Sequence, residues 1–142
     1  MKDKHRKFLI YWLPVVLYCT AIFIQSSYPS VVRLHDVPFG DKYLHVAGYA
    51  LLGMLFFRAF RSSHGGNRIF MVILLSISVS TAYGISDEIH QYFVPYRTAD
   101  VMDALADMVG SGLGVLGYSL LMEKFDTLFS RYPWNDKLRQ FL

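Results

Sequence analysis

Three stretches of the chain bring acids, histidines, tyrosines and cations together at helical spacing. In the first, Asp41, His45 and Tyr49 recur every four positions, so a helix stacks them on one face with Lys42 alongside. In the second, Tyr83, Asp87, His90 and Gln91 fall on one side of a helix. Glu88, rotated by about 100° from Asp87, either faces a neighbouring helix or begins a non-helical exit. In the third, Asp100, Asp103 and Asp107 form one face behind Arg97, and Thr98 or Asp100 can cap the helix N-terminus, where the dipole favours a carboxylate. Carboxylates and imidazoles so spaced suit acid and base work, which makes Asp87, Glu88 and His90 the catalytic candidates. Asp41, Lys42, His45, Tyr49, Gln91, Arg97, Asp100 and Asp103 are the binding candidates, with Lys42 and Arg97 suited to clamp an anionic headgroup.

Plainer roles fit several of these residues. A cap alone accounts for Thr98 and Asp100 as well as binding does. Asp107 lies about a turn inside an apolar block, where a lone carboxylate is costly, so it is either protonated or needs Arg97, Lys42 or a histidine as partner; an Arg97–Asp107 ion pair tying helices together is one such arrangement. Tyr49 and Tyr83 serve equally well as packed aromatics, and His35 and His64 fall in connections and receive no role. The His and carboxylate spacings match neither HExxH nor any other established ligand motif, so no metal and no cofactor is assigned. No Ser or Cys stands out as a nucleophile, and the single Cys19, inside an apolar block, rules out a disulfide within the chain.

The elements that must position these groups are long and greasy. The 142 residues are 54% hydrophobic, 16% aromatic and 18% charged, a composition that argues against disorder, collagen and coiled coil. Four apolar blocks, at about 8–25, 43–60, 69–86 and 104–122, are each long enough at about 1.5 Å per residue to cross most of a bilayer's hydrocarbon. The expected fold is therefore all-α, a bundle of four transmembrane helices forming one domain over 1–122. Pro14 falls inside the first block and should kink it. Lys2, Lys4, Arg6 and Lys7 precede that block, which reads as an uncleaved signal anchor. Of 14 Lys and Arg residues, 11 lie in the N-terminal tail, the turn Arg58–Arg68 and the segment from Lys124 onward, so both termini are expected in the cytoplasm. The stretch 123–142, with Tyr132, Pro133 and Trp134, suits a cytoplasmic tail lying partly in the interface. Although the net charge is +3, the basic residues sit at block ends and make no stripe, which excludes nucleic acid as a partner. Gly110 and Gly114, spaced GxxxG, let a helix approach closely, either within the chain or across a homo-oligomer interface.

The order Asp41-Lys42-x-x-His45-x-x-x-Tyr49-x-x-Leu52-Gly53, then Tyr83-Gly84 through Asp87-Glu88, His90-Gln91 and Arg97, then Asp100-x-x-Asp103 before a Gly-rich span, resembles the VanZ-like family of small bacterial membrane proteins. The resemblance covers about residues 5 to 122. It implies an integral protein of the bacterial plasma membrane, the namesake of the family conferring low-level resistance to the glycopeptide teicoplanin. The family's motif positions carry over to Asp41, Lys42, His45, Tyr49, Glu88, His90, Gln91, Arg97, Asp100 and Asp103. Two positions depart: the family pattern often has Gly-Arg where this chain has Tyr96-Arg97, and Asn in the fourth span where it has Asp107. The expected function is binding or modification of an outer-leaflet lipid or a lipid-linked wall precursor at the polar end of the bundle. An intramembrane acid/base hydrolase or transferase is the alternative, and a proton-linked carrier or assembly subunit using Asp107 and His45 comes third.

Overall fold

The computed structural model describes residues 2–29, 39–64 and 68–129, and every long element among them is an α-helix. In chain order these are α1 (Lys2–Tyr11), α2 (Leu13–Ser26), α3 (Gly40–His64), α4 (Ile69–Tyr92) and α5 (Val101–Phe129). Four stretches are long and apolar enough to cross a membrane: His5–Ser26, Gly40–Ser63, Ile69–Tyr92 and Val101–Thr127. The expected four-helix membrane bundle is thus present, with α3 and α5 parallel and the other helices antiparallel to them. His35 and Asp36, and Tyr132 to Trp134 in the tail, lie outside the described residues.

Pro14 does break the first span, at Trp12. The Pro ring has no N–H, so the Ile10 carbonyl four residues earlier loses its helical donor. Arg58 of α3 supplies one instead: Nη1 donates to Ile10 O at 3.3 Å, and its guanidinium lies 4.8 Å over the Tyr11 ring. The helices also outrun the apolar blocks at their polar ends. Asp41 and Lys42 already lie on α3, and Asp87 through Gln91 stay on α4, so Glu88 sits on continuous helix and faces its neighbours.

Large apolar side chains such as Leu17, Phe70 and Leu113 point outward, as lipid-facing residues do, while Ser26, Ser76, Ser80 and Ser111 are fully buried. Lipid supplies no hydrophobic drive between helices, so small residues and interhelical hydrogen bonds hold them. Ser111 Oγ donates to Ser80 Oγ at 2.8 Å between α5 and α4, and Tyr83 OH donates to Cys19 O at 2.6 Å between α4 and α2. The glycines of α5 settle where its small face goes. A Cβ on Gly110 would collide with the main chain of Val46, and one on Gly114 with that of Ala50, so this face is packed against α3 of the same chain. Tyr49, Leu52, Phe56 and Ala59 of α3 build one apolar cluster with Val15, and Phe57 joins Val72 and Val115 in another.

Candidate functional site

The antiparallel fold brings the end of α2, the start of α3, the end of α4 and the start of α5 to one end of the bundle, and the polar residues gather there. Lys42, one turn into α3, is the hub: its ammonium lies 2.9 Å from Asp41 Oδ2, 2.7 Å from Asp100 Oδ2 and 2.5 Å from Asp103 Oδ1. Asp100 is the cap of α5, its Oδ1 accepting the Met102 N–H at 2.9 Å and its carbonyl taking the N–H groups of Asp103 and Ala104. Asp100 also gives its own N–H to Glu88 Oε2 at 2.9 Å, which ties α4 to the N-terminus of α5. The Lys42 ammonium, and then the Met102 N–H, hold the Asp100 carboxyl below the usual carboxylate range.

One turn deeper the polar groups are enclosed. His45 Nδ1 lies 2.8 Å from Asp107 Oδ1, and its Nε2 lies 3.7 Å from Asp103 Oδ2. Asp107 is 1% exposed, Tyr49 3% and Glu88 7%. One donor atom each from His45, Glu88 and Asp107 lies within 4.8 Å of the other two. Three atoms here, Asp107 Oδ2, Glu88 Oε1 and the Tyr49 hydroxyl, are buried with no hydrogen-bond partner. Leaving such a group unpaired costs about 1–3 kcal/mol, so three together mark a place where the structure has given up stability. Gly84 makes the room: a Cβ there would stand 2.6 Å from Asp107 Oδ2 and 3.0 Å from Tyr49 Cε1. The His45 and Tyr49 rings lie parallel, 6.4 Å apart, as their spacing on one helix face requires.

Not all of the candidates converge. Glu88 faces α3 and α5, whereas His90, two residues on, turns towards α2, with Nε2 3.0 Å from Ser27 Oγ and its ring 4.6 Å from that of Phe23. Asp87 is buried and accepts from Gln91 Nε2 at 2.9 Å within α4. Arg97 does not pair with Asp107, contrary to the ion pair considered above. Its Nε donates to Tyr28 O at 2.7 Å and its Nη2 to Gln25 O at 2.6 Å, closing the C-terminus of α2. Asp107 takes His45 instead. Both cations of the suggested anion clamp are therefore engaged, Lys42 with three carboxylates and Arg97 with two main-chain carbonyls. What is left open is acidic, and it suits a cation, a hydrogen-bond donor or proton transfer.

The sequence model of the VanZ/LLP1 family matches residues 8–122, which takes in the greater part of each of the four spans and every residue of this cluster. The chain belongs to that family. Among curated relatives, a Schizosaccharomyces pombe protein described as "Uncharacterized protein C11E3.10" is 30% identical over 95 residues, covering 67% of this chain and 56% of its own length. The chain thus spans little more than half the length of that relative. No solved structure matches. Gly84, Ser80 and Ser111 were given no part in the site from sequence, and Asp107, though singled out as needing a partner, was not among the binding or catalytic candidates. Their signal was present as register: Ser80, Gly84 and Glu88 recur every four residues on α4, and Asp103, Asp107 and Ser111 do so on α5. In antiparallel packing the two rows meet rung by rung, Ser80 with Ser111 and Gly84 with Asp107.

Proposed function

We propose that this VanZ-like membrane protein binds or modifies the polar head of an envelope lipid or lipid-linked wall precursor at the acidic end of its bundle. The observation that carries the reading is the enclosed group of His45, Glu88, Asp107 and Tyr49, drawn from three helices at the end of a membrane bundle, with buried polar atoms left unpaired. Intramembrane ionisable groups are costly and are found where a substrate or ion is handled. The Lys and Arg bias supports a reading in which this end of the bundle faces away from the cytoplasm, at the outer leaflet of a bacterial plasma membrane. A relative in a yeast favours a headgroup common to many membranes over a precursor made by bacteria alone. The family's namesake adds the expectation of lowered susceptibility to teicoplanin, by limiting the access of a lipid-bearing drug to the outer leaflet.

A second reading, an enzyme that alters the headgroup and does not merely hold it, is favoured by the same unpaired carboxylate oxygens beside an imidazole. The test is teicoplanin susceptibility, with vancomycin as control, in a sensitive Gram-positive host expressing the wild type or Glu88→Gln at equal membrane abundance. The expected result is a wild-type shift towards resistance, at least fourfold, that Glu88→Gln loses. A shift of equal size in both would remove the cluster from the function, and no wild-type shift would remove the drug phenotype.

A further inference from the structure

We infer that His45, Glu88 and Asp107 form a binding site for one divalent transition-metal ion, zinc or manganese in character. The inference goes beyond the headgroup reading and does not depend on it. One imidazole nitrogen with two carboxylate oxygens is a donor set that zinc accepts and that manganese shares through its oxygen preference. Bonds of about 2.0–2.2 Å place the donors round such an ion about 3–4 Å apart. His45 Nδ1 and Asp107 Oδ1 are already 2.8 Å apart, and all three donors lie within 4.8 Å, so closure on an ion needs only side-chain adjustment.

The surroundings are arranged as the outer layer of such a site would be. Glu88 and His45 are each held by one atom and present another. Glu88 Oε2 accepts the Asp100 N–H, which leaves Oε1 buried and free. Asp107 Oδ1 faces His45, which leaves Oδ2 free above Gly84. The second nitrogen of His45 faces Asp103 Oδ2 at 3.7 Å, and Asp103 is itself held by Lys42. A carboxylate behind a ligating imidazole fixes the ring and raises its basicity, an arrangement common to metal-bound histidines. The Tyr49 hydroxyl is buried and unpaired, and the Tyr49 ring and Asp107 Oδ2 both border the space over Gly84. Two carboxylates balance the charge of a divalent ion, while Lys42 offsets part of the charge of Asp41, Asp100 and Asp103. The ion takes the place of the proton that otherwise joins His45 to Asp107.

The experiment counts metal per chain on full-length protein purified in detergent on a histidine-free tag. The protein is stripped with EDTA, incubated with Zn²⁺ or Mn²⁺, desalted and measured by plasma mass spectrometry. Wild type should keep about one ion per chain, and His45→Ala and Asp107→Asn should each lower retention at least tenfold. Asp126→Asn, a carboxylate at the opposite end, should retain the ion as wild type does. Circular dichroism and the elution profile identify any variant that does not fold, and for such a variant Glu88→Gln replaces it. No retained metal on wild type, or equal retention by folded variants and wild type, overturns the site. Neither result touches lipid binding, which is measured separately.

Discussion

Asp107 is where a residue-scale account is most exposed to test, because its carboxylate is 1% exposed and one of its oxygens has no partner. Asp107→Asn keeps the shape and gives the residue the family pattern often has here, so the protein should stay folded in the membrane with a thermal midpoint close to that of wild type. Asp107→Ala also empties the space beside His45 and should lower the thermal midpoint in detergent, consistent with about 3–5 kcal/mol for breaking a buried pair. Equal melting of Asp107→Ala and wild type would mean that the His45–Asp107 contact does not hold the bundle. Tyr96 offers the opposite sign. Its φ is 67°, in the left-handed region that glycine enters freely, and the side chain is 91% exposed with little packing to lose. The family's frequent Gly-Arg at this point is explained by that angle, so Tyr96→Gly should stabilise by about 1 kcal/mol, read as a raised midpoint. That Lys42, His45, Tyr49 and Asp103 gather at one end was legible from spacing on their own helices. The role of Gly84 was not, because it consists in having no side chain opposite a residue on another helix.

At the scale of elements, the account rests on how closely α5 approaches α3. Gly114→Ala places a methyl group against the main chain of Ala50, which has no flexible end to yield, so the helices must separate. That substitution should cost about 1–3 kcal/mol or more and reduce the folded yield, whereas Gly117→Ala meets no atom within 4 Å and should behave as wild type. Similar melting curves for the two would contradict the packing. Arg97 makes a second element-scale case. Its guanidinium takes the Gln25 and Tyr28 carbonyls, so Arg97→Gln should loosen the end of α2 and increase labelling of a cysteine placed at Ser27 several-fold. The four apolar blocks were readable by composition, and so was the break at Pro14. The partner of Arg97 was not readable, since main-chain carbonyls leave no mark in the sequence.

For the whole molecule, the charge asymmetry and the fold make a joint statement about sidedness. All the clustered acids lie at one end, while Arg58 and Arg61 lie at the other, where Arg61 pairs with Asp126 at 3.2 Å. In a Cys19→Ser background, a cysteine at Tyr96 should react with a membrane-impermeant maleimide in intact cells, and one at Lys124 only after lysis. The reverse pattern would invert the bundle and turn the cluster to the cytoplasm. Hydropathy carried the number of the spans. The extra turns at each polar end escaped it, because Glu88 accepts the Asp100 N–H at the start of α5 and Asp87 accepts from Gln91 within α4, contacts that a hydropathy window does not see.

The most direct measurement of the central claim is native mass spectrometry of the purified protein with its co-purifying lipids, comparing wild type with Glu88→Gln and His45→Ala. The account predicts a defined lipid or lipid-linked adduct on wild type that both variants lose while remaining folded. The same adduct at the same occupancy on all three proteins would contradict it, and the acidic end of the bundle would then be a structural lock between helices.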